Sequence, residues 1–229
     1  MGIRQDTRDR IEAQIIELGR RQLITEGAAG LSLRAIARDL GMVSSAVYRY
    51  VASRDDLLTL LLVDAYNDLA DAVERAHEHA RGDGAAWHVQ VLEMARAARR
   101  WAVAGPASWA LLYGSPVPGY RAPAEVTVQP GTRVIAALLQ VIGQAAADGL
   151  IADSEVVVPQ SVSDDFDRLR AEFAVDCSDT ALTKCFTVWA ALVGAISLEV
   201  FGQYGADTLT DASAMFDLQI EAVLSLLTV

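Results

Sequence analysis

The chain has 229 residues, of which 52% are hydrophobic and 21% charged, and a formal net charge of −11. That balance supports a buried core and excludes a largely disordered chain, while the acid excess excludes nucleic-acid binding over the whole surface. The charge is uneven, however: residues 1–56 carry nine arginines against eight acids, and the rest carries 10 basic against 22 acidic residues, so only the first part suits DNA.

Residues 7–26 place Ile11, Ile15, Leu18 and Leu23 at helical spacing, and Gly27 ends the run, which predicts a first helix. Ser32 is a suitable cap for a short second helix to Leu40, Gly41 breaks it, and Ser44 or Ser45 starts a third short helix reaching Tyr50 or Val51. Ser53 is followed three positions later by Asp56, a capping pattern that opens a long helix to about His79 with Leu57, Leu61, Ala65 and Leu69 on one face. Residues 81–84 form the clearest break. Helical pattern then covers 87–104 and 106–113, and residues 115–123 concentrate turn formers. Beyond them the periodicity predicts a helix over 131–147, a loop over 151–162, a short helix over 164–174, and two very apolar helices over 180–204 and 211–227. The fold class is all-α with about nine or ten helices, organised as a head at 1–53 and a larger helical body at 54–229.

The two cysteines, Cys177 and Cys185, fall in helical pattern eight positions apart, where they would lie about 12 Å from each other, too far to bridge. The charge-free run between Lys184 and Glu199 is shorter than the roughly 20 residues of a bilayer span. The first residues show no apolar segment followed by a cleavage site. A cytoplasmic protein with no membrane partner is expected.

The chemistry concentrates in the head. Two short helices that meet steeply need a small residue at their contact, a glycine at the turn and an apolar plug on the second helix. Ala37, Gly41 and Val47 supply these, and Leu33, Ile36, Leu40 and Tyr50 complete the apolar side. The pattern predicts a helix-turn-helix. By residue type, Arg34, Tyr48, Tyr50 and Arg54 can donate to phosphate oxygens, while Val43, Ser44, Ser45 and Arg49 are candidates for base edges. Thr7 and Arg8 are further candidates for a flanking phosphate. Few phosphate contacts per head mean weak binding by a monomer, so a homodimer on two half-sites about 34 to 36 Å apart is expected, with double-stranded operator DNA as the partner.

Residues 27–58 carry a fuller pattern: Leu31-Ser32-Leu33-Arg34-Ala35-Ile36-Ala37, then Gly41-Met42-Val43-Ser44, then Val47-Tyr48-Arg49-Tyr50-Val51-Ala52-Ser53-Arg54-Asp55-Asp56. This resembles the tetracycline-repressor family. The family usually has His-Phe where this chain has Tyr50-Val51, and Lys where it has Arg54; both changes keep a polar tip or a positive charge. The resemblance implies that residues 44–50 form a recognition helix in the major groove, that the last two helices build a four-helix dimer interface, and that a small effector releases the DNA. It implies a repressor; an activator or architectural DNA-binding protein with the same head is the alternative.

In the body, Trp101, Trp109, Tyr113, Phe166, Phe173 and Trp189 are candidates to line a pocket for a small, mostly apolar effector. Aromatic residues at helical spacing also serve as plain core. An enzyme is not expected: there is no G-x-S-x-G, phosphate loop or H-E-x-x-H. His77 and His79 point in different directions on a helix and His88 lies beyond the break, so no metal or cofactor is expected.

Overall fold

In a computed structural model, which describes residues 3–152 and 157–228, the chain forms ten α-helices, and no strand occurs among the described residues. They are α1 (Ile3–Glu26), α2 (Leu33–Asp39), α3 (Ser44–Val47), α4 (Arg54–Gly82), α5 (Trp87–Ala104), α6 (Pro106–Tyr113), α7 (Ala124–Ala147), α8 (Gln160–Phe173), α9 (Asp179–Val200) and α10 (Ala212–Ser225), with a 3-10 turn at Ala28–Gly30. Two compact units result: Met1–Asp68 with Gly105–Gly131, and Leu69–Ala104 with Thr132–Val229.

The first unit takes in more than residues 1–53. Its core is Ile15, Leu23, Leu33, Ile36, Val47 and Val51 together with Leu57, Leu58 and Leu61 of α4, and Leu111, Val117 and Tyr120 pack against it. Apolar side chains on α6 and the following loop cover the head's core, a contact between distant stretches of chain that local pattern does not reveal. In the second unit α5, α9 and α10 pack around Met94, Leu182, Leu192, Ile196, Phe216 and Ile220. Arg99 donates to both carboxylate oxygens of Glu199, at 2.7 and 2.6 Å, and Arg96 to both of Asp217, at 3.0 and 2.9 Å. The fork geometry of arginine thus fastens α5 to α9 and α10. Lys184 Nζ donates to the carbonyls of Ala152 and Leu227.

Caps explain several boundaries. Ser32 Oγ accepts from Ala35 N at 3.3 Å and Ser53 Oγ from Asp56 N at 3.1 Å, as the serine patterns predict. For α3 the cap position is Val43, without a side-chain cap, so Ser44 and Ser45 stand inside the helix and not at its cap. The helix itself stops at Val47, and turns continue to Tyr50, after which the Val51 N–H bonds the Val47 carbonyl at 3.1 Å.

Elsewhere the boundaries move. α7 begins at Ala124, well before the expected residue 131, and holds Pro130 inside it. The Pro123 carbonyl accepts both Thr127 N at 3.1 Å and Thr127 Oγ1 at 2.8 Å, which starts the helix upstream of the proline, and the Thr127 and Pro130 side chains are buried. α8 starts at Gln160, where Val162 and Ser163 bond the Pro159 carbonyl. The stretch expected as a loop over 151–162 therefore ends in helix. Ile151 forms an isolated antiparallel bridge with Thr228, and residues 153–156 lie outside the described residues. α9 ends at Val200, before the expected 204, in turns leading to Asp211, whose Oδ1 caps α10 by accepting Ala214 N at 2.9 Å.

The helical spacing expected for the cysteines does not hold. Cys177 precedes α9 and only Cys185 lies on it; both thiols are free. α7 and α9 are long and apolar enough to cross a membrane by length and composition alone, more so than the charge-free run suggests. Their core positions, among them Leu138, Ile142, Leu182 and Leu192, are buried inside the fold.

Candidate nucleic-acid interface

The turn between α2 and α3 is built on Gly41. Its φ of +66° is a left-handed conformation open to glycine at little cost, and it reverses the chain after α2. Gly41 N bonds the Arg38 carbonyl at 3.1 Å and Met42 N the Ala37 carbonyl at 2.9 Å, which satisfies the open carbonyls at the helix end. Ala37 is buried at the contact between the helices and Val47 is fully buried as the plug. Gln22 of α1 clamps the start of α2, its Oε1 accepting from Ser32 N at 2.8 Å and its Nε2 donating to Ser32 O at 3.4 Å. α1 also lies close against α4: a Cβ added at Gly19 would meet Leu61 Cδ2 at 3.0 Å.

This scaffold leaves one polar surface uncovered. Arg34, Val43, Ser44, Ser45, Tyr48 and Arg49 are all exposed, Val43 at 71% of its possible area, although it is an aliphatic residue at the entry to α3. The side chains of Arg34, Arg38 and Arg49 make no hydrogen bond or ion pair among the described residues. Their guanidinium groups can donate to phosphate oxygens without first breaking an internal pair.

Tyr50 and Arg54 are half-buried. The Arg8 guanidinium stands 5.9 Å over the Tyr50 ring while its Nε donates to Glu12 at 2.7 Å, so Arg8 positions the tyrosine. Arg54 Nη2 donates to the Ala28 carbonyl at 2.8 Å and Nη1 lies 3.8 Å from Asp55. Part of the Arg54 side chain is therefore committed to joining the start of α4 to the 3-10 turn.

Four contributors to the head escape residue-by-residue reading of the sequence. Gln22 is one. The others are Arg20 and its acids: Arg20 Nε donates to Asp64 Oδ2 at 2.6 Å and Nη2 donates to Asp68. The Asp64 hydrogen bond holds the Arg20 guanidinium above its ordinary pKa, against the opposing effect of burial. Asp64 and Asp68 are four residues apart and share a helix face, a spacing that signals a shared cation without saying which one.

The six aromatic residues expected around a ligand are distributed over both units. Trp109 and Tyr113 belong to the first unit, Trp101, Phe166, Phe173 and Trp189 to the second. Trp109 is fully buried with its ring 4.3 Å from that of Tyr113, an ordinary core arrangement, and buried Phe166 stacks at 6.0 Å on the more exposed ring of Phe186. The first unit instead contains a cavity of about 510 Å³ bounded by the end of α1, by α4, by α6 and by residues 114–122; none of the six lines it.

Comparison with known proteins is consistent along the whole chain. Residues 15–61 match the family described as bacterial regulatory proteins, tetR family, and residues 91–223 match the tetracyclin repressor-like C-terminal domain. The HTH-type transcriptional regulators Rv1816 of Mycobacterium tuberculosis and Mb1846 of Mycobacterium bovis are each 58% identical over 227 residues, which is 99% of this chain and 96% of theirs. Among solved structures, the regulatory protein SCO4313 superposes with a TM-score of 0.78 at 30% identity, over 98% of this chain and all of that one. A tetR-family regulator from Shewanella sp. PV-4 superposes with a TM-score of 0.61 at 17% identity, over 96% of this chain and 98% of its own, a likeness of fold.

Proposed function

The chain belongs to the tetracycline-repressor family of helix-turn-helix transcription regulators, and from that premise we propose that it is a repressor that binds a palindromic operator as a homodimer and leaves it when a small, mostly apolar effector binds. The observation that carries the DNA-binding part is the exposed surface of α2 and α3. Arg34 and Arg49 stand there without internal partners, beside the short side chains of Val43, Ser44 and Ser45 and the phenol of Tyr48. In this reading Arg34, Tyr48 and Tyr50 hold phosphates, Val43, Ser44, Ser45 and Arg49 face base edges, and Arg54 reaches the backbone only with the donors left over from Ala28. A role on the chromosome places the protein in the cytoplasm.

The apolar surface left on the last two helices supports a homodimer. Phe186 and Leu198 on α9, Phe201 just after it and Leu218 on α10 are between 37% and 62% exposed. A second copy would remove that area from water, at roughly 25 cal/mol per Å². Effector control requires the effector to prefer the setting of α4 that does not fit the operator; a ligand indifferent to the two settings shifts nothing.

Selection of random duplex DNA by the purified protein at about 0.15 M salt tests the reading, because that salt suppresses purely electrostatic binding. Enrichment of an inverted repeat with half-sites about 34 to 36 Å apart is the expected result. Binding that vanishes with salt and enriches no sequence would overturn it. The position of the selected site relative to promoters separates repressor from activator.

A further inference from the structure

We propose that the cavity in the first unit is a ligand site for an uncharged, mainly apolar molecule that carries one hydrogen-bonding oxygen or nitrogen. Its volume of about 510 Å³ suits a small organic molecule. Leu23, Leu62, Leu111 and Val117 supply apolar wall, and no acidic or basic side chain lines the cavity. A charged group laid against these walls would find no counter-ion among the lining side chains, so the walls favour an uncharged, apolar part of a ligand.

Two tyrosines provide the polar handle. The Tyr66 hydroxyl has no hydrogen-bond partner among the described residues, and burial raises its pKa, so it stays a neutral donor and acceptor. Tyr120 OH lies 2.9 Å from Thr59 Oγ1, and Thr59 Oγ1 donates its one hydrogen to the Asp55 carbonyl at 2.9 Å. Tyr120 must therefore donate to Thr59, which leaves its own oxygen as an acceptor on the cavity wall.

The site's place in the fold gives it a regulatory consequence, which rests on the effector response proposed above. Gly27 and Ala28, at the end of α1, form part of the wall, and the Ala28 carbonyl is the acceptor that holds Arg54 at the first residue of α4. A ligand that favours a wider cavity acts directly on the Ala28–Arg54 and Thr59–Tyr120 contacts.

The test uses two fluorescent probes of nearly the same shape: neutral N-phenyl-1-naphthylamine, and 1-anilinonaphthalene-8-sulfonate, which adds an anionic group. The full chain is compared with Ala110→Trp, which fills the cavity from α6, and with Ala122→Trp, which crowds it from an exposed loop position that a folded protein tolerates. The expected result is saturable binding of the neutral probe, at least tenfold tighter than the sulfonate, weakened at least tenfold by either tryptophan while the melting temperature holds. Tyr66→Phe should weaken only probes that hydrogen bond, such as 1-naphthol. No saturable neutral binding, equal binding of the sulfonate, or binding untouched by both tryptophans in folded protein would overturn the proposal. Affinity for the selected duplex is read in parallel: neutral binding at this site that leaves it unchanged keeps the ligand site and counts against the effector response, so the two readings fail separately.

Discussion

Arg20 on α1 reaches across to Asp64 on α4, Nε to Oδ2 at 2.6 Å, and a second donor of the same guanidinium reaches Asp68 one turn further along. One arginine thus joins the helix that supports the head to the helix that leaves it. The groups are partly exposed, with side-chain accessibilities of 37%, 23% and 46%, so solvent screening limits their worth. A double-mutant cycle of Arg20→Ala and Asp64→Ala is expected to give a coupling energy of about 0.5 to 1 kcal/mol in urea denaturation. A coupling near zero would mean that apolar packing alone sets α1 against α4.

Gly41 offers a cleaner backbone test. A Cβ added there meets nothing within 4 Å, so the cost of Gly41→Ala comes from its φ of +66° alone. The expected loss is about 1 to 2 kcal/mol of stability in chemical denaturation. Gly41→Asn should recover part of it, since asparagine tolerates the left-handed region.

The two exposed arginines of the head should behave differently on DNA. Arg34→Ala removes a phosphate donor and is expected to weaken binding about equally on all sequences, lowering the slope of log affinity against log salt by about 1. Arg49→Ala is expected to cost about 1 to 3 kcal/mol on the selected duplex and to relax its preference at one position. Titrations by fluorescence anisotropy at several salt concentrations distinguish the two; matching behaviour would overturn the assignment of Arg49 to base edges.

Leu218 on α10 is 62% exposed. If a second copy covers it, Leu218→Asp places a charge in an apolar interface and should leave a folded monomer in analytical ultracentrifugation, with weakened operator binding. An unchanged oligomeric state would remove this face from the interface.

The Cys185 thiol is pushed up to about 12, first by burial and then by the neighbouring Cys177. In the unfolded chain a thiol ionises near about 8.5. Between those values the folded protein holds a proton that the unfolded chain releases, so Cys185 contributes stability that is fully present below the unfolded pKa and declines as pH rises toward the folded one. Thermal melts from pH 8 to 10 should show that decline, and Cys185→Ala should reduce it. At pH 8 a thiol reagent is expected to reach half-buried Cys177 first and Cys185 only on unfolding.

Local chemistry made the head legible from residues alone. Ala37, Gly41 and Val47 act over a few positions, Ser32 and Ser53 cap the helices that follow them, and α5 and α6 begin and end where periodicity and proline place them. What only the folded chain decided lies in contacts between residues far apart in sequence. Arg20 finds Asp64, Gln22 finds Ser32, Tyr120 finds Thr59, and Leu111 and Val117 cover a core made by the first 61 residues. The same holds for the start of α7, where buried Pro130 and the Pro123 carbonyl outweigh proline's tendency to end a helix, and for the six aromatic residues, which the fold divides between two units. Caps and turns depend on backbone torsions set by neighbouring residues, which a sequence states directly. Side-chain partners and cavities depend on which helix faces meet, and many sequence positions fit a given face equally well until packing selects one.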